Sequence, residues 1–380
     1  MKKLFLALGV VAFAMVLAAG CAKKESDTVA IGAVLPLSGD VAFYGTQSRD
    51  GALLAIDEIN AAGGLLGKKL TIIAEDDEGN AEKSVNAFTK LATRDKVGFI
   101  IGSSTSGATI AMTSLAQQAK VLLISPSATN IDVTKAGDYI FRACFIDPFQ
   151  GIVGADFAFD TLGARNAAIL YDAGADYNTG LADSFRRQFL ALGGAIVADE
   201  AYQTKDIDFN AQVTRIRAAN PDVVYLPNYY NDVTLQAKQL RDQGVSCALL
   251  GGDGWDGLVA EAGVEVTNGF WSAGFASDTT DPAGQKFVNA FEARFPSSKA
   301  SQFAALGYDT MMLIADAIRA AGSFDTAAVK DAMAKLNGPY VTGSIRFDAD
   351  RNPIKGAAIL EIVEQGGKLV NTYKTTVNPK

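Results

Sequence analysis

Short apolar runs alternate with helical patterns along most of this chain, and that alternation is what most constrains its fold. In the first part of the chain, strands are predicted at 29–36, 69–76, 97–101 and 121–124. The segments between them have helical spacing of apolar residues, and Gly63-Gly64 is predicted to stop the first helix. Alternation of this kind predicts parallel sheets that are covered by helices on both faces.

The same alternation resumes after residue 165. Further strands are predicted at 166–172, 195–202, 222–227, 247–252 and 269–274, with helices at 178–192, 231–243, 283–295, 302–321 and 325–336. Residues 356–374 have the pattern of a β-hairpin that turns at Gly366-Gly367. A chain of 380 residues is long enough for two domains, so the sequence predicts an α/β fold with two doubly wound parallel-sheet lobes.

The first 20 residues are predicted to be a secretory signal peptide. Lys2 and Lys3 precede an apolar run that ends near Leu17 and is followed by small residues. The run is shorter than the ~20 apolar residues that a transmembrane helix needs, although an uncleaved membrane anchor stays open as the alternative.

The segment "LAAGC" (17–21) resembles the lipobox of bacterial lipoproteins. The resemblance implies cleavage before Cys21, attachment of lipid to its thiol and acylation of the new amino terminus. Several acyl chains anchor a protein firmly where one chain is marginal. Residues 21–26 would then be a lipidated tether, on the periplasmic or cell-surface side of a bacterial membrane.

The composition excludes several kinds of site. The chain has no histidine, which removes Ser-His-Asp and Cys-His catalysis and the commonest metal ligand. After Cys21 only Cys144 and Cys247 remain, too few for a zinc site, and their apolar surroundings favour two separate thiols over a disulfide. A net charge of −8 without a basic stripe argues against nucleic acid as a partner. No metal or cofactor is predicted.

Polar residues collect where predicted strands end. The segments "GSSTSGAT" (102–109) and "SPSATN" (125–130) follow two strands of the first series. Ligands of open parallel sheets bind outside the carboxyl ends of the strands. Thr105 or Ser106 would cap the helix that starts near Gly107, and the amides and dipole of that helix suit an anion.

The strand ends of the second series carry acidic and aromatic residues, namely Tyr177, Tyr229, Asp253 and Trp255. Such groups suit a small cation with an apolar body. Each motif alone also has a structural interpretation as a helix cap, a turn or a core aromatic. Their order along both series favours binding, and an anion site facing a cation site is typical of a zwitterionic ligand.

From Val29 onward, the chain resembles the periplasmic leucine/isoleucine/valine-binding proteins of ABC transporters. The segments "IGAVLPLSGDVAFYGTQSRDGALLAIDEINAAGGLLGKKL" (31–70) and "VLLISPSATN" (121–130) carry the resemblance. It implies a type I periplasmic-binding-protein fold whose lobes are joined by a three-strand hinge and close over the ligand. Lobe 1 would comprise 27–146 and 277–345, and lobe 2 would comprise 147–276 and 346–380.

The resemblance also implies roles for individual residues. The ligand carboxylate would contact Ser106, Ser127 and Thr129. The ligand ammonium would contact Asp253, Tyr229 and the backbone carbonyl of Ser127. The ligand side chain would contact Tyr44, Ser104, Phe149, Tyr177, Trp255 and Phe303. Three residues differ from the family pattern, because Ser104 replaces an apolar residue, Asp253 replaces glutamate and Trp255 adds bulk.

The sequence therefore predicts a monomeric, lipid-anchored receptor for a branched-chain or other apolar α-amino acid, which it delivers to an ABC permease. A receptor of the same fold for an aromatic carboxylate or an amide is the alternative. An enzyme that uses Ser106 or Ser127 is disfavoured because no histidine or nearby lysine would activate the serine. A sensor for a membrane partner is a further alternative, although no second output domain is evident.

Overall fold

The computed structural model describes residues 27–378. The predicted signal peptide, Cys21 and the tether 21–26 lie outside the described residues. None of the helices within 27–378 is both long enough and apolar enough to cross a membrane.

The first sheet has five parallel strands in the order β2-β1-β3-β4-β5. They are β1 (Thr28–Leu35), β2 (Lys69–Asp76), β3 (Phe99–Gly102), β4 (Leu122–Ser125) and β5 (Ile140–Arg142). The helices that connect them are α1 (Ala42–Ala61), α2 (Ala81–Thr93) and α3 (Ser106–Ala119). Strands β3 and β4 are buried along their whole length, which explains why their sequences are continuous apolar runs.

The second sheet contains five parallel strands, in the order β10-β9-β8-β6-β7. They are β6 (Asn166–Asp172), β7 (Ala195–Tyr202), β8 (Val223–Leu226), β9 (Ala248–Gly251) and β10 (Gly269–Ala273). The helices of this part are α4 (Asp147–Asp156), α5 (Asp176–Ala191), α6 (Asn210–Ala219), α7 (Tyr230–Asp242) and α8 (Leu258–Glu261).

After β10 the chain returns to the first sheet and then crosses back. The returning elements are α9 (Pro282–Arg294), α10 (Gln302–Ala321), α11 (Thr326–Met333) and a hairpin of β11 (Asn337–Tyr340) and β12 (Gly343–Arg346). The chain ends with β13 (Ala357–Gln365) and β14 (Lys368–Val377), which extend the second sheet in antiparallel fashion beside β10. We call the part built on the first sheet, with α9–α11, lobe 1, and the part built on the second sheet lobe 2.

Three segments connect the two lobes, at 143–146, 274–281 and 347–356. The predicted fold of two doubly wound lobes with a three-strand hinge is therefore confirmed. Cys144 and Cys247 are free thiols, as the sequence predicted. Asn80 caps α2, because its side chain accepts hydrogen bonds from the amides of Glu82 and Lys83.

Element boundaries differ from the prediction by a few residues. Buried residues continue beyond the hydrogen-bonded part of a strand, so an apolar pattern places the start of the strand too early. Val97, for example, is buried although β3 begins at Phe99. Helix α11 ends at Met333 rather than near 336. The hairpin of β11 and β12 was not predicted, because its alternation is interrupted by Gly338 and Pro339.

Candidate ligand-binding site

The site lies where the strand order of each sheet reverses. In lobe 1, β1 is flanked by β2 and β3, so the connections after β1 and β3 diverge to opposite faces. In lobe 2, β6 is flanked by β7 and β8 in the same way. Such a switch point leaves a crevice at the carboxyl ends of the strands, where doubly wound sheets bind ligands.

A narrow cavity, with room for about one water molecule, lies between these two crevices. Its lining residues come from both lobes and are Tyr44, Ser104, Ser106, Ser127, Tyr177, Tyr229, Asp253, Gly254 and Phe303. All of them except Gly254 are residues that the sequence predicted for the site.

Three predicted site residues do not line this cavity. Trp255 is fully buried in the core of lobe 2, where its indole N–H donates a hydrogen bond of 2.9 Å to the carbonyl of Leu226. Phe149 is half-buried and packs edge-on against Phe145 at 6.2 Å between ring centroids. Thr129 is also fully buried.

The lobe 1 wall of the cavity is built around the first turn of α3. Thr105 is the N-cap residue of this helix, but its side chain makes no capping hydrogen bond. Ser106 follows it in the first turn, where backbone amides have no partner within the helix. The Ser106 hydroxyl accepts a 3.3 Å hydrogen bond from the Asn130 amide, and the Ser127 hydroxyl donates one of 2.8 Å to the Ser104 carbonyl. These bonds hold the segments after β3 and β4 together.

The lobe 2 wall presents the carboxylate of Asp253. Its Oδ1 accepts hydrogen bonds from Tyr177 Oη at 3.0 Å and from Gln150 Nε2 at 3.1 Å. Burial raises the pKa of Asp253 to about 6, although both hydrogen bonds lower it. The carboxylate is therefore ionised at neutral pH and adds a negative charge to the wall opposite Ser106.

Aromatic rings enclose the space between the two walls. Tyr177 stacks on Tyr229 with ring centroids 5.0 Å apart, and Tyr44 stacks on Phe303 at 4.2 Å. Burial raises the pKa of all three tyrosines well above the usual value, so their hydroxyls stay protonated as hydrogen-bond donors. The rings offer an apolar surface and, through their faces, an environment that tolerates a cation.

A family model described as "periplasmic binding protein" matches residues 28–368. The chain belongs to the periplasmic binding proteins. It is 37% identical over 276 residues to the Leu/Ile/Val-binding protein BraC3 of Rhizobium johnstonii, and the match covers 72% of this chain and 71% of that protein. This bears out the predicted relationship to the leucine/isoleucine/valine-binding proteins.

Two solved structures have the same fold. The branched-chain amino acid transporter substrate-binding protein LivJ of Streptococcus pneumoniae, in complex with isoleucine, is 35% identical with a TM-score of 0.85; the match covers 93% of this chain and all of LivJ. A solute-binding protein of an ABC transporter from R. palustris, in complex with benzoate, is 25% identical with a TM-score of 0.83, covering 93% and 98% of the two chains. This periplasmic binding protein is accordingly an extracytoplasmic, substrate-binding component of the ABC-transporter type.

Two glutamines of this binding protein support the site although the sequence did not predict them. Gln150 Oε1 accepts hydrogen bonds from the Asp253 amide at 2.5 Å and from Ser272 Oγ at 2.7 Å. Gln302 Nε2 donates a 2.8 Å hydrogen bond to the Asp253 carbonyl from lobe 1. No local pattern marks either residue, because both contacts join segments that are distant in the sequence.

A second buried carboxylate, Asp147, lies next to the site. Burial raises its pKa to about 8, whereas the nearby Thr129 hydroxyl lowers it. Neither oxygen of Asp147 has a hydrogen-bond partner of ordinary geometry among the described residues. Asp147 is therefore the more readily protonated of the two carboxyls, and Asp253 is the one that more readily carries charge at the cavity.

Proposed function

We propose that this protein binds an α-amino acid between its lobes and releases it, chemically unchanged, to an ABC permease. The observation that carries the proposal is the position of Asp253. This ionised carboxylate of lobe 2 and the first turn of α3 in lobe 1 line the same small cavity.

The two walls match the two charges of an amino acid. The ligand carboxylate would accept hydrogen bonds from the hydroxyl of Ser106 and the amides at the start of α3, with Ser127 beside them. The ligand ammonium would pair with Asp253 beside the rings of Tyr177 and Tyr229. A buried charge is tolerated when it is paired and hydrogen-bonded. Both the carboxylate and the ammonium of the ligand would meet this condition.

Closure of the lobes would follow from binding, because the ligand would contact both walls and so favour the closed state. In this scheme the hinge segments separate lobe 1 (27–146 and 277–345) from lobe 2 (147–276 and 346–380). Hydrogen bonds from Gln302 to the Asp253 carbonyl and from Asn130 Nδ2 to the Asp176 carbonyl join the lobes in the closed arrangement.

The relatives support an amino acid as the ligand, since BraC3 is named for leucine, isoleucine and valine and LivJ was crystallised with isoleucine. The geometry of Ser106 and Ser127 does not support a role for either serine as a catalytic nucleophile. Ser127 donates its hydroxyl proton to a carbonyl and Ser106 accepts from an amide, so neither is paired with a base. We further propose that the protein acts as a monomer and is held at the membrane by lipid on Cys21.

A thermal-shift screen of the mature, unlipidated chain against all common amino acids tests the proposal, followed by calorimetric titration of the hits. At 100 times the dissociation constant, a ligand stabilises the folded state by about 2.7 kcal/mol, which raises Tm by several degrees. Isovalerate, which is valine without its ammonium group, serves as the control and should not bind. The absence of binding by every amino acid would contradict the proposal.

An aromatic carboxylate is the second candidate, favoured by the similarity to the benzoate-bound protein and by the four aromatic side chains of the cavity. The charge of Asp253 opposes it, because an ionised carboxylate repels an anion that has no ammonium group. Benzoate and 4-hydroxybenzoate in the same screen distinguish the candidates, since only a receptor for aromatic acids would bind them more tightly than any amino acid.

A further inference from the structure

One polar group of the cavity is not used by the proposed contacts to the ligand's carboxylate and ammonium. Ser104 lines the cavity, the residue is 4% exposed, and its Oγ has no hydrogen-bond partner among the described residues. Buried hydroxyls in folded proteins nearly always have a partner, so this one calls for a specific explanation.

Three other serines at the strand ends differ from Ser104 in this respect, although the Ser103 hydroxyl, which does not line the cavity, also has no hydrogen-bond partner of ordinary geometry among the described residues. Ser127 Oγ donates to the Ser104 carbonyl, and Ser125 Oγ donates to the Ser103 carbonyl at 2.6 Å. Ser106 Oγ accepts from the Asn130 amide. Their hydroxyls therefore help to hold the strand ends in place, whereas the Ser104 hydroxyl makes no bond that the fold needs.

Two tyrosine hydroxyls of the aromatic wall are also engaged. Tyr44 Oη donates to the carbonyl of Gly254, and Tyr177 Oη donates to Asp253. Once Ser106 and Asp253 hold the two charged ends of an amino acid, the stacked rings of Tyr44 and Phe303 and the hydroxyl of Ser104 remain for its side chain. The surface left for the ligand side chain is therefore apolar except at the Ser104 hydroxyl.

We propose that Ser104 selects an α-amino acid whose short side chain carries a hydroxyl group, as in threonine or serine. The ligand hydroxyl would exchange a hydrogen bond with Ser104 Oγ, while its methyl or methylene group would contact Tyr44 and Phe303. This inference rests on the proposed function and names the class of side chain that the same cavity accepts.

Threonine and valine provide the test, because they have the same shape and differ by a hydroxyl in place of a methyl group. We expect the wild-type protein to bind threonine about tenfold or more tightly than valine, the effect of one buried hydrogen bond. In Ser104→Ala, threonine affinity should fall about tenfold while valine affinity changes by less than about twofold. Calorimetric titration of both ligands with both proteins gives the coupling between Ser104 and the ligand hydroxyl.

Two further variants separate specificity from folding. Ser104→Cys keeps nearly the same volume but has a weaker donor, so it should also lose the preference for threonine. Ser84→Ala removes another buried serine of lobe 1, whose hydroxyl donates to the Ala108 carbonyl away from the cavity, and should keep that preference. Equal or tighter binding of valine to the wild-type protein, or equal losses for both ligands in Ser104→Ala, would overturn this inference and leave the amino-acid receptor standing. Failure of every amino acid to bind would overturn the proposed function itself.

Discussion

The hydroxyl of Tyr44 donates a hydrogen bond of 2.5 Å to the backbone carbonyl of Gly254 in the opposite lobe. The same oxygen accepts a 3.3 Å hydrogen bond from the amide of Tyr230, also in lobe 2. One buried side chain of α1 in lobe 1 therefore satisfies two backbone groups of lobe 2. These bonds can exist only when the lobes are close together, so they connect ligand binding to closure.

Replacement of Tyr44 by phenylalanine should weaken ligand binding by roughly 5- to 150-fold. The carbonyl of Gly254 and the amide of Tyr230 would lose their partner in the closed state, and unpaired buried groups of this kind cost about 1–3 kcal/mol. Tyr202→Phe is the matched control, because Tyr202 Oη donates to Asp232 at 2.7 Å within lobe 2 alone. Titration calorimetry measures affinity, and small-angle scattering measures closure. Equal affinities of Tyr44→Phe and wild type would disprove this role in closure.

Amino-acid affinity should fall as the pH is lowered through about 6. Burial raises the pKa of Asp253 to about 6 in the ligand-free cavity. Below that pH the carboxylate is protonated and loses the negative charge that pairs with the ammonium. Affinity should then decrease about tenfold for each further pH unit, since each ligand must displace a bound proton. Titrations between pH 5 and 8 measure this slope.

The variant Asp253→Asn identifies the group responsible for that slope. It should bind an amino acid at least about 100-fold more weakly at pH 7, because a neutral amide replaces the partner of a buried ammonium group. The pH dependence of affinity near pH 6 should also disappear in this variant. Two other buried carboxyls still titrate in it: Asp256, whose pKa burial raises to about 7, and Asp147. A slope that persisted in Asp253→Asn would assign the pH dependence to one of those carboxyls.

Gln150 should act by positioning Asp253 and holding its charge. Its side chain bonds to both the amide and the carboxylate of Asp253, and the hydrogen bond to Oδ1 lowers the pKa of that carboxyl. In Gln150→Met the pKa should rise above about 6, so the decline in affinity should begin at a higher pH. Gln188→Met removes a comparable bond of 2.6 Å to Asp156 outside the site and should leave the pH profile unchanged. An unshifted profile in Gln150→Met would limit Gln150 to a structural role.

These contacts also show how far sequence reasoning extends. Strand ends identified the edge of each sheet, and the cavity is lined by residues from those ends. The direction of a side chain after a strand was not predictable, as Trp255 demonstrates: it lies two residues after Asp253, yet its ring packs back over Gly251. A Cβ on Gly251 would lie 2.0 Å from that ring, so only a glycine at this position leaves space for the Trp255 ring in the core. Gln150 was missed because it meets Asp253 only through the tertiary fold.

The contact between α1 and α10 in lobe 1 should be sensitive to added volume. A Cβ on Gly307 of α10 would lie 2.1 Å from the Ser48 carbonyl oxygen of α1, and a Cβ on Gly51 would lie 1.9 Å from the Ala304 carbonyl oxygen. Both obstacles are helix backbone, which cannot rotate away, so Gly307→Ala must push the two helices apart. We expect it to lower the free energy of unfolding by about 1–3 kcal/mol or more.

A buried helical glycine that leaves room for a Cβ provides the control for that change. A Cβ on Gly154 of α4 would lie 3.6 Å from the ring of Tyr225, an ordinary contact. Gly154→Ala should therefore be neutral or should stabilise the protein by up to about 1 kcal/mol, because alanine has the higher helix propensity. Urea denaturation of both variants measures the difference. Gly307→Ala should in addition weaken ligand binding, because α10 also carries Phe303 of the cavity. If the stability of Gly307→Ala were unchanged, the two helices could separate without cost and the prediction would be wrong.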